Sequence, residues 1–122
     1  MTEKEEFKKQ FKKRLYKFTL DLIGFLDQLP KDNVSRRIGD QLLRSGTSII
    51  GNYIEGQSAS SKRDFTNYMN TSLKSSNESK LWLSILKDSK RANQESVNIL
   101  MNELNEFSKI LASVLLTLRN KR

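Results

Sequence analysis

Three features of the sequence predict an all-α fold, an antiparallel up-down-up-down four-helix bundle. Apolar residues recur at spacings of three and four through four segments of roughly 20 to 28 residues. Short breaks rich in Pro, Gly, Ser and Asn separate those segments, and short connections place consecutive helices antiparallel. No stretch shows the period-two alternation of a strand. The 122 residues fit one domain, 1–122.

The first helix is marked by Phe7, Phe11, Leu15, Phe18, Leu22, Phe25, Leu26 and Leu29, one buried stripe. Pro30 ends it, since proline lacks an N–H and disfavours helix in the residue before it. Lys8, Lys9, Lys12, Lys13 and Lys17 flank the stripe, either as a solvated face or as a contact for a polyanion.

The second helix has Asp32, Asn33 or Ser35 as candidate cap and an inner row of Val34, Ile38, Leu42, Ser45 and Ile49, then Asn52 or Tyr53. A second row, Leu43, Thr47, Ile50 and Ile54, makes it apolar over more than one monomeric bundle buries. That surplus points to a neighbour outside the monomer. Two interior glycines, Gly46 and Gly51, each disfavour helix by about 1 kcal/mol against alanine, so they call for a packing reason. With Ser45, Thr47 and Ser48 they make a thin surface for close approach of another backbone, and Gly56 is placed to cap the helix.

Ser61, with Asp64 three residues later, resembles a capping box and starts the third helix. Its inner stripe is Phe65, Tyr68, Met69, Ser72, Leu73, Ser76, Leu83 and Leu86, with Ser72, Ser75, Ser76 and Ser79 as small residues. Near Trp82 the helix is apolar almost all round, so the indole packs either in the core or against another subunit. Asn93 caps the fourth helix, whose stripe of Val97, Leu100, Met101, Leu104, Phe107, Leu111, Val114, Leu115 and Leu118 is the cleanest heptad pattern.

Charge is unevenly distributed. The chain carries 22 Lys and Arg against 14 Asp and Glu, a net +8. Residues 21–106 are neutral; residues 1–20 and 107–122 each carry +4. Up-down-up-down connectivity brings both charged termini to one end, beside the turn with Lys62 and Arg63. The expected basic pole comprises Lys4, Lys8, Lys9, Lys12, Lys13, Lys62, Arg63, Arg119, Lys121 and Arg122, and suits phosphate backbones without sequence preference.

Composition narrows the chemistry. Without cysteine or histidine there is no disulfide, thiol nucleophile, Cys/His zinc site or imidazole base. No apolar run approaches the roughly 18 residues of a membrane span, and the charged N-terminus is unlike a signal peptide, so a soluble, cytoplasmic protein is expected. Glu55 and Glu78 are the acids expected to point inward, but a di-iron bundle pairs Glu with Glu-x-x-His, which this chain lacks. Glu103 and Glu106 fall on the water side of the fourth stripe. Asn52, Glu55, Ser75 and Glu78 are therefore read as a polar set fixing the register of helices two and three. No catalytic residue, metal or cofactor is assigned.

Gln41, Arg44, Ser48, Asn52, Glu55 and Gly56, followed by Asp64, Phe65, Ser75, Glu78 and Leu83, resemble the pattern Q-x-x-R-x-x-x-S-I-x-x-N-I-x-E-G, then F and S-x-x-E. This ordered set is similar to the four-helix-bundle family typified by the protein encoded in intervening sequences of bacterial 23S rRNA genes, to which an accessory protein of diversity-generating retroelements is related. The chain departs from it with Ser72 and Lys74 where Ala and Gly are usual, and with Asn-Tyr-Ile-Glu-Gly for Asn-Ile-Ala-Glu-Gly. The resemblance implies a small bacterial bundle, a ring-like homo-oligomer, a pentamer, that binds RNA in preference to DNA. The expected function is thus non-enzymatic nucleic-acid binding by a homo-oligomer, with Leu43, Ile50, Ile54 and Trp82 at its interface. The alternative is a structural or adaptor oligomer that binds a protein partner.

Overall fold

The computed structural model describes residues 1–120 as four helices: α1 Glu3–Asp27, α2 Asn33–Gln57, α3 Lys62–Asp88 and α4 Gln94–Asn120. No strand occurs among the described residues. Sequential helices pack against each other, α1 also packs against α4, and the backbones of the diagonal pairs stay further apart. This is the square of an up-down-up-down bundle, as the periodicity predicts.

Side-chain oxygens open the helices by accepting otherwise orphaned backbone N–H groups. Asp32 accepts the Ser35 N–H at 3.0 Å, Ser61 accepts that of Asp64 at 3.1 Å, and Asn93 accepts that of Ser96 at 2.7 Å. Thr2 does the same for α1, accepting from Glu5 at 3.1 Å. The α1 helix stops at Asp27, with Gln28 as its C-cap, and Leu29 tucks back into the core before Pro30. After α3, Lys90 takes the left-handed conformation (φ 62°) while Arg91 N–H reaches back to the Leu86 carbonyl at 2.9 Å. That is a Schellman ending with lysine where glycine is usual.

Gly56 is not the helix stop the sequence leads one to expect. The helix runs on to Gln57, Ser58 caps it, and Gly56 is buried inside the last turn. A Cβ there would stand 2.5 Å from Met69 Cε and 3.1 Å from Tyr68 Cβ, so the glycine admits α3. Gly46 is a second such site, where a Cβ would collide with Leu22 Cδ2 of α1. Gly51 differs: it is exposed, with nothing within 4 Å of the equivalent position.

The seams of the square differ in what fills them. Between α2 and α3 the residues are small, and hydroxyls bond across the gap: Ser45 Oγ with Ser79 Oγ at 2.8 Å, and Ser72 Oγ to the Ile49 carbonyl at 2.8 Å. Ser76 extends this to α4, donating to the Leu104 carbonyl at 3.2 Å and meeting Ser108 Oγ at 3.0 Å. No enclosed side-chain oxygen or nitrogen among the described residues lacks a partner, which makes so many buried serines tolerable. Between α1 and α4 the filling is aromatic. Phe107 meets Phe11 and Phe18 edge to face, centroids 5.8 and 5.3 Å apart, and Arg14 covers Phe107 while pairing with Glu103 at 2.6 Å. Glu103, expected in water, is half-buried in that pair.

Two stripe positions lie outside the core the periodicity outlines. Val34 is in the first turn of α2 and exposed. Phe7 is 47% exposed, in the first turns of α1 where a groove opens between the helix ends.

Candidate nucleic-acid interface

The start of α1, the end of α2, the start of α3 and the end of α4 surround one groove of about 890 Å³. Lys4, Phe7 and Lys8 share a face of α1, spaced by three and four residues, and line one wall. Tyr53, Gly56 and Gln57 of α2, Phe65 and Met69 of α3, and Lys109, Ile110 and Val114 of α4 complete it. Lys62 also lines it.

The other cations expected at this pole are spread around it. Lys9, Lys12 and Lys13 are exposed on the side of α1 turned from the Leu15–Leu22 stripe. Arg63 and Arg119 are exposed in the first turn of α3 and the last turn of α4. Lys121 and Arg122 lie outside the described residues. Glu3, Glu5 and Glu6 offset part of the charge, placed where acids favour a helix N-terminus. At the opposite end cations are more nearly balanced; Arg91 approaches Asp32 at 3.7 Å, with Asp27, Asp40 and Asp88 nearby in the chain.

Tyr53 is the groove's most enclosed polar residue, 4% exposed, with its ring edge-on to Phe11 at 5.0 Å. Burial pushes its hydroxyl above the ordinary tyrosine range.

The polar set divides. Ser48 joins two members, receiving hydrogen bonds at 2.8 Å from both Asn52 Nδ2 and Ser75 Oγ. Glu78 Oε2 receives Arg44 Nη2 and Trp82 Nε1, each at 2.9 Å, and the same guanidinium nitrogen also donates to Gln41 Oε1 at 2.8 Å. Glu55 is exposed and joins neither group, because Gly56 takes the inward position four residues beyond the Asn52 turn. Most polar residues of the ordered sequence set therefore form a lane of bonds along α2 and α3. Sequence reading missed Ser48 as the hub and Gln41 as a partner of Arg44, since neither is apparent until the two helices are in register.

Among the described residues no group of three His, Cys, Asp or Glu side chains is placed to hold a metal ion, and no helix is long and apolar enough to cross a membrane. The apolar surplus occupies two flanks rather than one face. Leu43 and Ile50 lie three residues before and four after Gly46, on the α1 side of α2, and Ile54 continues that row; Leu43 and Ile54 are exposed. Trp82 is half-buried beside Glu78 on the other seam.

The model of the 23S rRNA-intervening sequence protein family matches residues 7–113. The chain belongs to that family. This family member is also similar to a solved structure, a protein of unknown function from the S23 ribosomal protein family of Bacteroides thetaiotaomicron, with 33% identity and a TM-score of 0.78 over 85% of this chain and 96% of that one. Comparison with curated proteins finds no match. Neither the 23S rRNA-intervening sequence family nor its solved relative indicates an enzyme family.

Proposed function

We propose that this 23S rRNA-intervening sequence family protein is a non-enzymatic homo-oligomer that binds nucleic acid, RNA in preference to DNA, through its basic pole and largely without sequence specificity. One observation carries the reading: α1 begins and α4 ends at the groove, so the described parts of the two segments that hold all the excess charge run from that end of the bundle, with Lys4, Lys8, Lys62 and Lys109 lining the groove itself. Lysines on mobile stems around a concave surface attract a phosphate backbone by displacing its counterions, whatever the base sequence. The preference for RNA rests on the family description.

Self-association is the second half of the proposal. Leu43, Ile50 and Ile54 on one flank of α2, and Trp82 on the other seam, are two different apolar surfaces, as a head-to-tail contact requires, and such contacts close into rings. A pentameric ring would repeat the basic pole five times and multiply its field. The rival is an adaptor oligomer that binds a protein, favoured by the exposed apolar row Tyr16, Leu20 and Ile23 on α1.

Charge reversal separates the two. Lys9, Lys12, Lys13 and Arg119 all changed to Glu should abolish binding of a labelled RNA while helicity and mass in solution stay unchanged. Reversal of Lys31, Arg36 and Lys87, at the far end, should do much less. RNA binding that survives the first set would leave the adaptor reading.

A further inference from the structure

The groove at the basic pole is more than a charged surface. Its floor is apolar, with Phe65, Met69 and Val114 among its lining residues, and Phe7 stands at its wall half-exposed. The Phe7 ring stacks on Phe11, centroids 6.0 Å apart and planes 17° from parallel, which holds the ring while leaving part of it open to the groove. Tyr53, more than nine-tenths buried, has no hydrogen-bond partner for its hydroxyl among the described residues. No unpartnered side-chain oxygen there is sealed from solvent, so this hydroxyl reaches the groove that Tyr53 lines. Lys4 and Lys8 line the groove beside Phe7, within one turn of it on α1.

A ligand for these parts needs a flat apolar face, a polar edge and a negative charge close by. An aliphatic acid has no flat face to lie against Phe7, and a duplex keeps its base faces stacked out of reach. We infer that the groove takes an unpaired base of a single-stranded nucleic acid, lying against Phe7 with an edge on the Tyr53 hydroxyl and its phosphates beside Lys4 and Lys8. The volume of about 890 Å³ is within the range of small-ligand pockets, so it accommodates a nucleotide. This rests on the reading of the pole as a nucleic-acid site, and adds that bases, not phosphates alone, contribute to affinity.

The test uses the full chain and three labelled probes of equal length: a single-stranded RNA without self-complementarity, the same RNA annealed to its complement, and a base-free phosphodiester strand. Base stacking on an aromatic side chain should make the single strand bind roughly 5- to 100-fold tighter than the base-free strand. Phe7→Ala should remove most of that difference, and Tyr53→Phe, which keeps the ring against Phe11, should reduce it several-fold. Neither should change affinity for the base-free strand. Equal affinity for all three probes, with Phe7→Ala silent, would overturn base insertion while leaving the charged pole standing. If none of the probes binds the unmodified protein, both readings fall.

Discussion

Gly46 of α2 lies directly against Leu22 of α1, with no room for a Cβ between them. Leu22 is fully buried, so its Cδ2 can give way only by pressing on the core around it. Gly46→Ala should therefore destabilise by about 1–3 kcal/mol, the range for overpacking, less the fraction regained from helix propensity. Gly51→Ala should do the reverse, stabilising by about 0.5–1 kcal/mol, because its position is open and only the backbone entropy term remains. Urea midpoints that moved in the same direction for both variants would contradict this reading of the two glycines.

Glu78 holds Arg44 and Trp82 at once. Arg44 is 66% exposed, so the ion pair contributes little, and Glu78→Gln, which keeps an acceptor for the indole, should cost less than about 1 kcal/mol. Glu78→Ala strands the half-buried Trp82 N–H and should cost about 1–3 kcal/mol. Chemical denaturation of both variants checks the order; equal losses would mean that charge, not the indole bond, matters.

The Asp32 cap gives an acid-dependent increment of stability. Hydrogen bonds from the Ser35 N–H and then its hydroxyl hold the carboxyl below its ordinary range. A carboxyl depressed in the folded state stabilises fully above its unfolded pKa, and that stability is lost as pH falls through the folded value. The gap in urea midpoint between wild type and Asp32→Asn should accordingly be largest at neutral pH and shrink as pH falls through and below the ordinary carboxylate range. A gap that widened on acidification would contradict the sign.

The flank of Leu43, Ile50 and Ile54 predicts an assembly phenotype distinct from a folding one. Gly51 is exposed on the same helix, and a Cβ added there meets nothing within 4 Å in the monomer. Ile54→Glu or Gly51→Leu should reduce mass in solution at micromolar concentration while leaving the helical circular dichroism intact. A monomeric wild-type protein would end the oligomer proposal.

Much of this architecture is legible from the sequence because helix periodicity is local. Phe11, Leu15, Phe18 and Leu22 announce their burial by spacing alone, and Asp32, Ser61 and Asn93 announce their caps by chemistry. What depends on two helices being in register is not legible. Gly56 reads as a stop until Tyr68 and Met69 stand beside it, and Ser48 reads as filler until Asn52 and Ser75 bond to it. Phe7 keeps the period yet lies at the bundle end where a groove opens, so a stripe position becomes groove wall. Convergence of the charged termini follows from counting helices, but the groove between them needs all four helix ends.

The most direct test of the basic pole is the affinity of a single-stranded RNA as a function of salt. If the pole binds by displacing counterions, log affinity should fall linearly with log salt, with a slope of roughly 0.7 per phosphate contacted. Reversal of Lys9, Lys12, Lys13 and Arg119 should flatten that line, and reversal of Lys31, Arg36 and Lys87 should leave it unchanged. A salt-independent affinity, or a slope lost only when the far end is reversed, would contradict the account.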